Sequence, residues 1–181
     1  MPPEDDIFTV GHSTHELKAF VELLRAHEVG LLVDVRAYPR SRRVPQFNSE
    51  ALERSLPSFG IDYLHMRELG GRRRPRPDSV NDAWENEQFR GYADHMETTE
   101  FQAALSRLEL LARERPTAVM CAEATWFRCH RRLISDAMLV RGWRVLHIGS
   151  DGRVTEHELT PFAVVSDGRL SYPAPQTSLG I

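Results

Sequence analysis

The run Leu31-Leu32-Val33-Asp34-Val35-Arg36 restricts the fold of this chain more than any other. Its first apolar residues are consecutive rather than alternating, so a strand made from them needs cover on both faces, as in the middle of a parallel sheet. Its polar end marks the edge where such a strand meets loops and ligands. Parallel neighbours need long crossovers, usually helical, and the rest of the chain supplies them. Further strands are expected at 7–10, within 60–65, at 117–120 and at 144–148. Between them, apolar residues recur at helical spacing. The first set is Leu17, Phe20, Val21 and Leu24, running to about Glu28. Then come Leu52, Leu56 and Phe59 in a short helix capped by Asn48 or Ser49 and bent by Pro57, and a helix over 89–96. Phe101, Leu105, Leu108 and Ala112 make the next, and Leu133, Ala137 and Val140 the last, with a stop at Gly142.

Ser13 with Glu16, and Thr99 with Gln102, read as capping boxes at two of the helix starts. Asp151-Gly152 is a hairpin signal leading into an antiparallel edge over 154–159, and Ser166-Asp167-Gly168 repeats it near Tyr172. The expectation is an α/β protein: a single domain over 7–172 with a mostly parallel sheet of about five strands. Helices cover both faces, and an antiparallel hairpin lies toward the C-terminal end. Residues 1–6 and 173–181 read as flexible ends. Right-handed crossovers bring the loops after the first four strands to one edge.

Bulk composition bounds the function. Hydrophobic content of 41% and charged content of 27% over 181 residues fit a globular domain. No apolar run nears the roughly 18 residues of a membrane span, and the acidic start lacks the basic and apolar regions of a signal peptide. Cytoplasm is the expected compartment, with no membrane partner. A net charge of −3 argues against a uniformly basic nucleic-acid binder, but the cations are unevenly placed. Lys18 is the one lysine among 23 basic residues, and arginines crowd into three loops: Arg36, Arg40, Arg42 and Arg43; Arg72, Arg73, Arg74 and Arg76; Arg128, Arg131 and Arg132. Genome composition accounts for arginine replacing lysine, but not for the clustering. A guanidinium fork suits two-pronged recognition of phosphate or carboxylate. The Gly70-Gly71 pair before Arg72 would let backbone N–H groups approach an anion.

The densest chemistry lies between the fourth strand and the last helix. Residues 120–132 hold both cysteines, Cys121 and Cys129, together with Glu123, His130 and three arginines. Together, Val10-Gly11-His12-Ser13, Val33-Asp34-Val35-Arg36, Pro39-Arg40-Ser41, Pro45-Gln46-Phe47-Asn48, Glu68-Leu69-Gly70-Gly71, Phe89-Arg90-Gly91-Tyr92 and Cys121-Ala122-Glu123 through Cys129-His130-Arg131 resemble the bacterial and archaeal family known as domain of unknown function 488. The resemblance spans about 7–148 and implies an α/β domain; it implies no reaction.

Three chemistries compete for these residues. In the first, Glu123 serves as general acid–base or nucleophile, aided by Tyr92, His130 or His12. A phosphate-bearing ligand, a nucleotide or nucleic acid, would then be held by His12, Ser13, Asp34, Arg36, Arg40, Arg43, Gly70, Gly71, Arg72, Arg128 and Arg131. Asp34 either orders the loop after its strand or orients Arg36. In the second, a thiol reacts as in rhodanese-like sulfurtransferases and cysteine phosphatases, with Cys129 activated by a helix N-terminus and cationic neighbours. Cys121 reads as a small buried residue. Against this, Glu123 would repel an oxyanion approaching Cys121, and the loop lacks the small residues those enzymes use. The third is an arginine-lined binding module without turnover, which needs neither Glu123 nor Cys129. The spacing of Cys121, Cys129 and His130, with His12 or His65, matches no zinc pattern, so neither a metal nor a cofactor is expected.

Overall fold

The computed structural model describes residues 5–175. The expectations for residues 1–4 and 176–181 lie outside the described residues. Five parallel strands carry the domain: β1 (Asp6–Gly11), β2 (Leu31–Asp34), β3 (Asp62–His65), β4 (Thr117–Cys121) and β5 (Arg144–Ile148). A sixth, β6 (Val154–Glu156), pairs antiparallel with β5, giving the order β3-β2-β4-β1-β5-β6. A separate hairpin joins β7 (Val164–Ser166) to β8 (Arg169–Ser171). Asp167 and Gly168 at its turn both have positive φ, the backbone that a two-residue hairpin turn demands. The α/β fold, the parallel sheet and the C-terminal hairpin are those expected from the sequence.

Alternation along the central strands divides the core in two. Leu31, Val33, Val119 and Cys121 face one side, while Leu32, Ala118 and Met120 face the other. The first side is covered by α3 (Glu87–Met96), α4 (Thr99–Glu114) and α5 (Arg131–Val140), which bring Tyr92, Phe101, Leu105, Leu133 and Ile134 into contact. The second is covered by α1 (Leu17–Arg25) and α2 (Ser49–Ser55), through Phe20, Val21, Leu24 and Leu52. Each of these side chains is almost wholly removed from water, a stabilisation of about 1.5–3 kcal/mol apiece for the larger ones.

Two helix starts differ from the sequence reading. Helix α1 begins after Glu16, with no side-chain cap. Ser13 cannot cap it, because its backbone N–H donates to the Ala122 carbonyl at 3.0 Å and its φ is +47°. For α4 the cap is Thr98, whose hydroxyl accepts from the Phe101 N–H at 3.2 Å, and Gln102 instead reaches back to the Met96 carbonyl. A one-residue shift therefore separates the real cap from the expected Thr99 box.

The strand ends are level. Gly11 lies beside Cys121, and Asp34 lies beside both Met120 and His65. The loops after β1, β2, β3 and β4 thus open onto one edge, as the parallel topology requires.

Candidate functional site

A cleft of about 240 Å³ lies at this edge, lined by the loops after β2, β3 and β4 and by one face of α3. Its floor is the pair of cysteines. Cys121 ends β4 and is buried, while Cys129 follows a single 3-10 turn over Trp126–Arg128 and lies two residues before α5, whose N-cap is His130. The seven-residue excursion over 122–128 returns the chain to the strand end, leaving the two sulfurs 3.0 Å apart as free thiols. The excursion can lie flat because position 11 is glycine: a Cβ there would sit 1.8 Å from the Glu123 carbonyl oxygen.

The two thiols differ electrically. The Cys129 pKa is lowered to about 6, first by the hydrogen bond from the Cys121 thiol and then, against the cost of burial, by Arg131. The Arg131 backbone N–H and Nε–H both point at the Cys129 sulfur at 3.4 Å. Helix N-terminal N–H groups and an adjacent guanidinium are the surroundings that favour thiolate. Burial instead pushes the Cys121 thiol up, so it keeps its proton and donates it to Cys129. Arg131 is 1% exposed. Beyond the sulfur it donates to the Glu123 carbonyl at 2.6 Å and to the Thr9 hydroxyl at 3.3 Å. Arg131 is therefore part of the site's frame.

His130 also lines the cleft. Its Nε2–H donates to the Val35 carbonyl at 2.7 Å, and burial lowers its pKa to about 4, so the ring is neutral with Nδ1 as acceptor. That nitrogen packs on Gly71, where a Cβ would lie 3.0 Å from it. Tyr92 contributes its ring to the cleft and packs tilted against His130 at 5.1 Å, but its hydroxyl donates to the Leu69 carbonyl at 2.7 Å. Burial raises its pKa well above the usual tyrosine value, so the hydroxyl is committed rather than free for proton transfer.

Glu123, Arg72 and Arg128 are exposed on the cleft wall. Arg72 lies over the ring of Tyr38, itself 68% exposed, at 5.1 Å. Among the described residues no ion pair engages Glu123, Arg72 or Arg128.

The other residues singled out from sequence form a neighbouring frame. Asp34 grips Arg36 with both oxygens, at 2.9 Å to Nε and 2.7 Å to Nη2, and also accepts from the Arg36 backbone N–H and the Tyr63 hydroxyl. Both readings of Asp34 thus hold in the geometry: it orders the loop and orients the guanidinium. Arg36 further donates to the Phe47 carbonyl and to His12 Nε2, and reaches the cleft with little unspent capacity. His12 stacks on Phe47 at 4.5 Å and gives its Nδ1–H to the Ser13 carbonyl. Burial lowers the His12 pKa to about 4. Arg40 pairs with Glu50 on the surface, and neither Arg40 nor Arg43 lines the cleft. Gly70 gives its N–H to the Arg67 carbonyl and packs against Ala37, so that N–H is not open to an anion. Among the described residues no cluster of three or more His, Cys, Asp or Glu side chains is arranged to hold a metal ion.

Sequence reasoning passed over a buried polar chain behind Arg131, made of Thr9, His147, His157, Asp136 and Tyr172. One signal was legible. Asp136 follows Leu133 by three and precedes Val140 by four, placing a carboxylate on the apolar face of α5.

The fold and cleft together define an α/β protein with a parallel sheet and a paired-thiol cleft at its carboxyl edge. The chain belongs to the family described as Domain of unknown function DUF488, which matches residues 16–138, more than half its length. No curated protein and no solved structure matches it. No helix among the described residues is long and apolar enough to cross a membrane.

Proposed function

We propose that the cleft is a thiol active centre in which the Cys129 thiolate attacks sulfur or phosphorus of an anionic substrate and displaces a leaving group: sulfite from thiosulfate, aryloxide from an aryl phosphate, or a thiolate from a disulfide. The observation that carries this reading is the set of three donors on one sulfur: the Cys121 thiol, the Arg131 N–H and the Arg131 Nε–H. Such donors hold the nucleophilic form near neutral pH. Arg72 and Arg128 on the wall supply positive charge for an anionic group. Neutral His130 and committed Tyr92 shape the floor beside the sulfur. Free thiols suit a reducing, cytoplasmic compartment. The earlier objection, repulsion by Glu123, weighs against attack by Cys121 more than by Cys129, which lies next to the cationic start of α5. Intact-mass analysis after incubation with thiosulfate, an aryl phosphate and an anionic disulfide tests the proposal. A covalent adduct on Cys129 with one of them, absent in Cys129→Ser, is expected. No adduct with any donor sinks it.

A second reading rests on Glu123, an exposed carboxylate in the same cleft without an ion-pair partner among the described residues. There the cleft holds a phosphate-bearing ligand, a nucleotide or single-stranded nucleic acid, and Glu123 acts as acid–base or nucleophile. Salt-sensitive nucleotide binding, with turnover lost in Glu123→Gln and kept in Cys129→Ser, would favour it. Binding without turnover in the parent would favour a module that only binds.

A further inference from the structure

Arg131 poses an electrostatic problem that the thiol reading does not solve. Its guanidinium is buried, and its adjacent anion is the Cys129 thiolate. When that sulfur is protonated or carries a bound group, the negative charge disappears. A buried cation left without a counter-charge is costly.

A second anion stands at the far end of a buried hydrogen-bonded chain. Asp136 accepts from the Thr160 N–H at 3.0 Å, from the Tyr172 hydroxyl at 2.7 Å and from His157 Nε2–H at 2.7 Å. Three groups are thus placed to donate to this one carboxyl group. With both rings as neutral tautomers and the Thr9 hydroxyl given an acceptor, every other bond points the same way. With His157 donating through Nε2, its Nδ1 is the acceptor for His147 Nε2–H at 2.9 Å. His147 Nδ1 then accepts from the Thr9 hydroxyl at 2.6 Å, which leaves the Thr9 oxygen to accept from Arg131 Nη1 at 3.3 Å. The chain therefore runs one way, from the guanidinium to the carboxylate. Burial, with His157 and Arg131 nearby, lowers the His147 pKa to about 2 and keeps that ring neutral. Trp126 lies flat on His147 at 4.2 Å and edge-on to His157, covering the relay from the side of the cysteine loop. Six segments, β1, the cysteine loop, α5, β5, the stretch after β6 and the residue after β8, meet to build it.

We infer that Asp136 is a second counter-ion of Arg131, coupled to it through Thr9, His147 and His157, and that these four residues position and tune the reactive thiol without touching substrate. The consequence is a division of labour. Arg131 stays charged and in place whether Cys129 is free or occupied, because polarisation along the chain draws on Asp136 when the thiolate is consumed. Removing Asp136, or cutting the chain at Thr9, leaves the thiolate as the main counter-charge. Arg131 then holds that thiolate more tightly, and the proton affinity of Cys129 falls.

The titratable and charged groups facing Cys129 are Cys121 from β4, Arg131 from α5, Tyr92 from α3, and His130, Arg128 and Glu123 around the cleft. The test leaves all of them intact. Iodoacetamide alkylation of Cys129 in the full chain is followed by mass spectrometry across pH for the parent, Asp136→Asn, Thr9→Val and Thr9→Ser. The midpoint is expected to drop by about 0.5–1 pH unit in Asp136→Asn, less than the 1–3 of a directly contacting charge. It should drop in Thr9→Val and return to the parent value in Thr9→Ser, which restores the hydroxyl. An unchanged or raised midpoint in either Asp136→Asn or Thr9→Val overturns the inference. Should Asp136→Asn fail to fold, Thr9→Val against Thr9→Ser decides alone. The inference rests on the thiol reading, and the two fail differently. A parent profile with no step on Cys129 below pH 8 removes both, whereas a parent midpoint near 6 that every variant shares removes only the relay.

Discussion

Cys121→Ala isolates the strongest single influence on the proposed nucleophile. The substitution removes the Cys121 thiol that donates to the Cys129 sulfur across 3.0 Å and leaves Arg131 in place. A hydrogen bond to a charged group is worth about 1.5–3 kcal/mol, and one pKa unit corresponds to about 1.4 kcal/mol. Losing the bond should therefore raise the Cys129 pKa by roughly 1–2 from its value of about 6. At pH 6.5 the thiolate fraction would fall from about three-quarters to between about a quarter and a few per cent. The pH midpoint of thiolate absorbance, or of alkylation, reads this directly. The alkylation plateau is a poorer guide, because intrinsic nucleophilicity rises with pKa and offsets part of the loss. A midpoint unchanged to within roughly 0.3 pH unit, about a third of the smaller expected change, would refute the claim that Cys121 is the chief stabiliser of the thiolate.

Three other outcomes follow from the geometry. Arg36→Ala should cost about 3–5 kcal/mol in denaturant unfolding, because it strands the buried Asp34 carboxylate, whereas Arg40→Ala on the exposed pair should cost under about 1 kcal/mol; equal costs would contradict the assignment of Arg36 to the frame. Gly11→Ala should destabilise by about 1–3 kcal/mol and change alkylation of Cys129, since its Cβ would meet the Glu123 carbonyl; an unperturbed protein would show that the cysteine loop does not need that approach. Acid should destabilise the fold below about pH 6.5. His12 and His130 have pKa values lowered to about 4, and His147 to about 2, so the unfolded chain binds their protons more readily. Their contribution is complete above the unfolded value and is lost as pH falls toward the folded ones, at up to about 1.4 kcal/mol per pH unit for each histidine. Thermal midpoints that stay flat from pH 7 to 4 would contradict their burial as neutral rings.

The fold was legible because its strands are short apolar runs with polar ends and its helices carry regular apolar spacing. Leu31-Leu32-Val33 reads as buried on both faces from composition alone, and the structure divides it between two cores. Local chemistry misled where tertiary bonding intervened. Ser13 has the residue type of a cap, yet its backbone is drawn to the Ala122 carbonyl and held at positive φ. The arginines illustrate a different limit. Sequence reveals the clusters but not that Asp34 occupies Arg36, that Glu50 engages Arg40, or that Arg131 turns inward to a sulfur. Which cations remain free depends on partners far along the chain. The same holds for the relay, since His147 and His157 acquire meaning only when β5 and the stretch after β6 bring them to Asp136. Asp136 on the buried face of α5 was the one visible trace.

Competitive labelling of the two cysteines in the native protein tests the central claim most directly. With limiting iodoacetamide at pH 7 and peptide mass spectrometry, Cys129 should be modified well ahead of Cys121. Its thiolate is the stabilised one and lines the cleft, while Cys121 is buried and keeps its proton. Preferential modification of Cys121, or equal slow modification of both, would contradict the thiol centre described above.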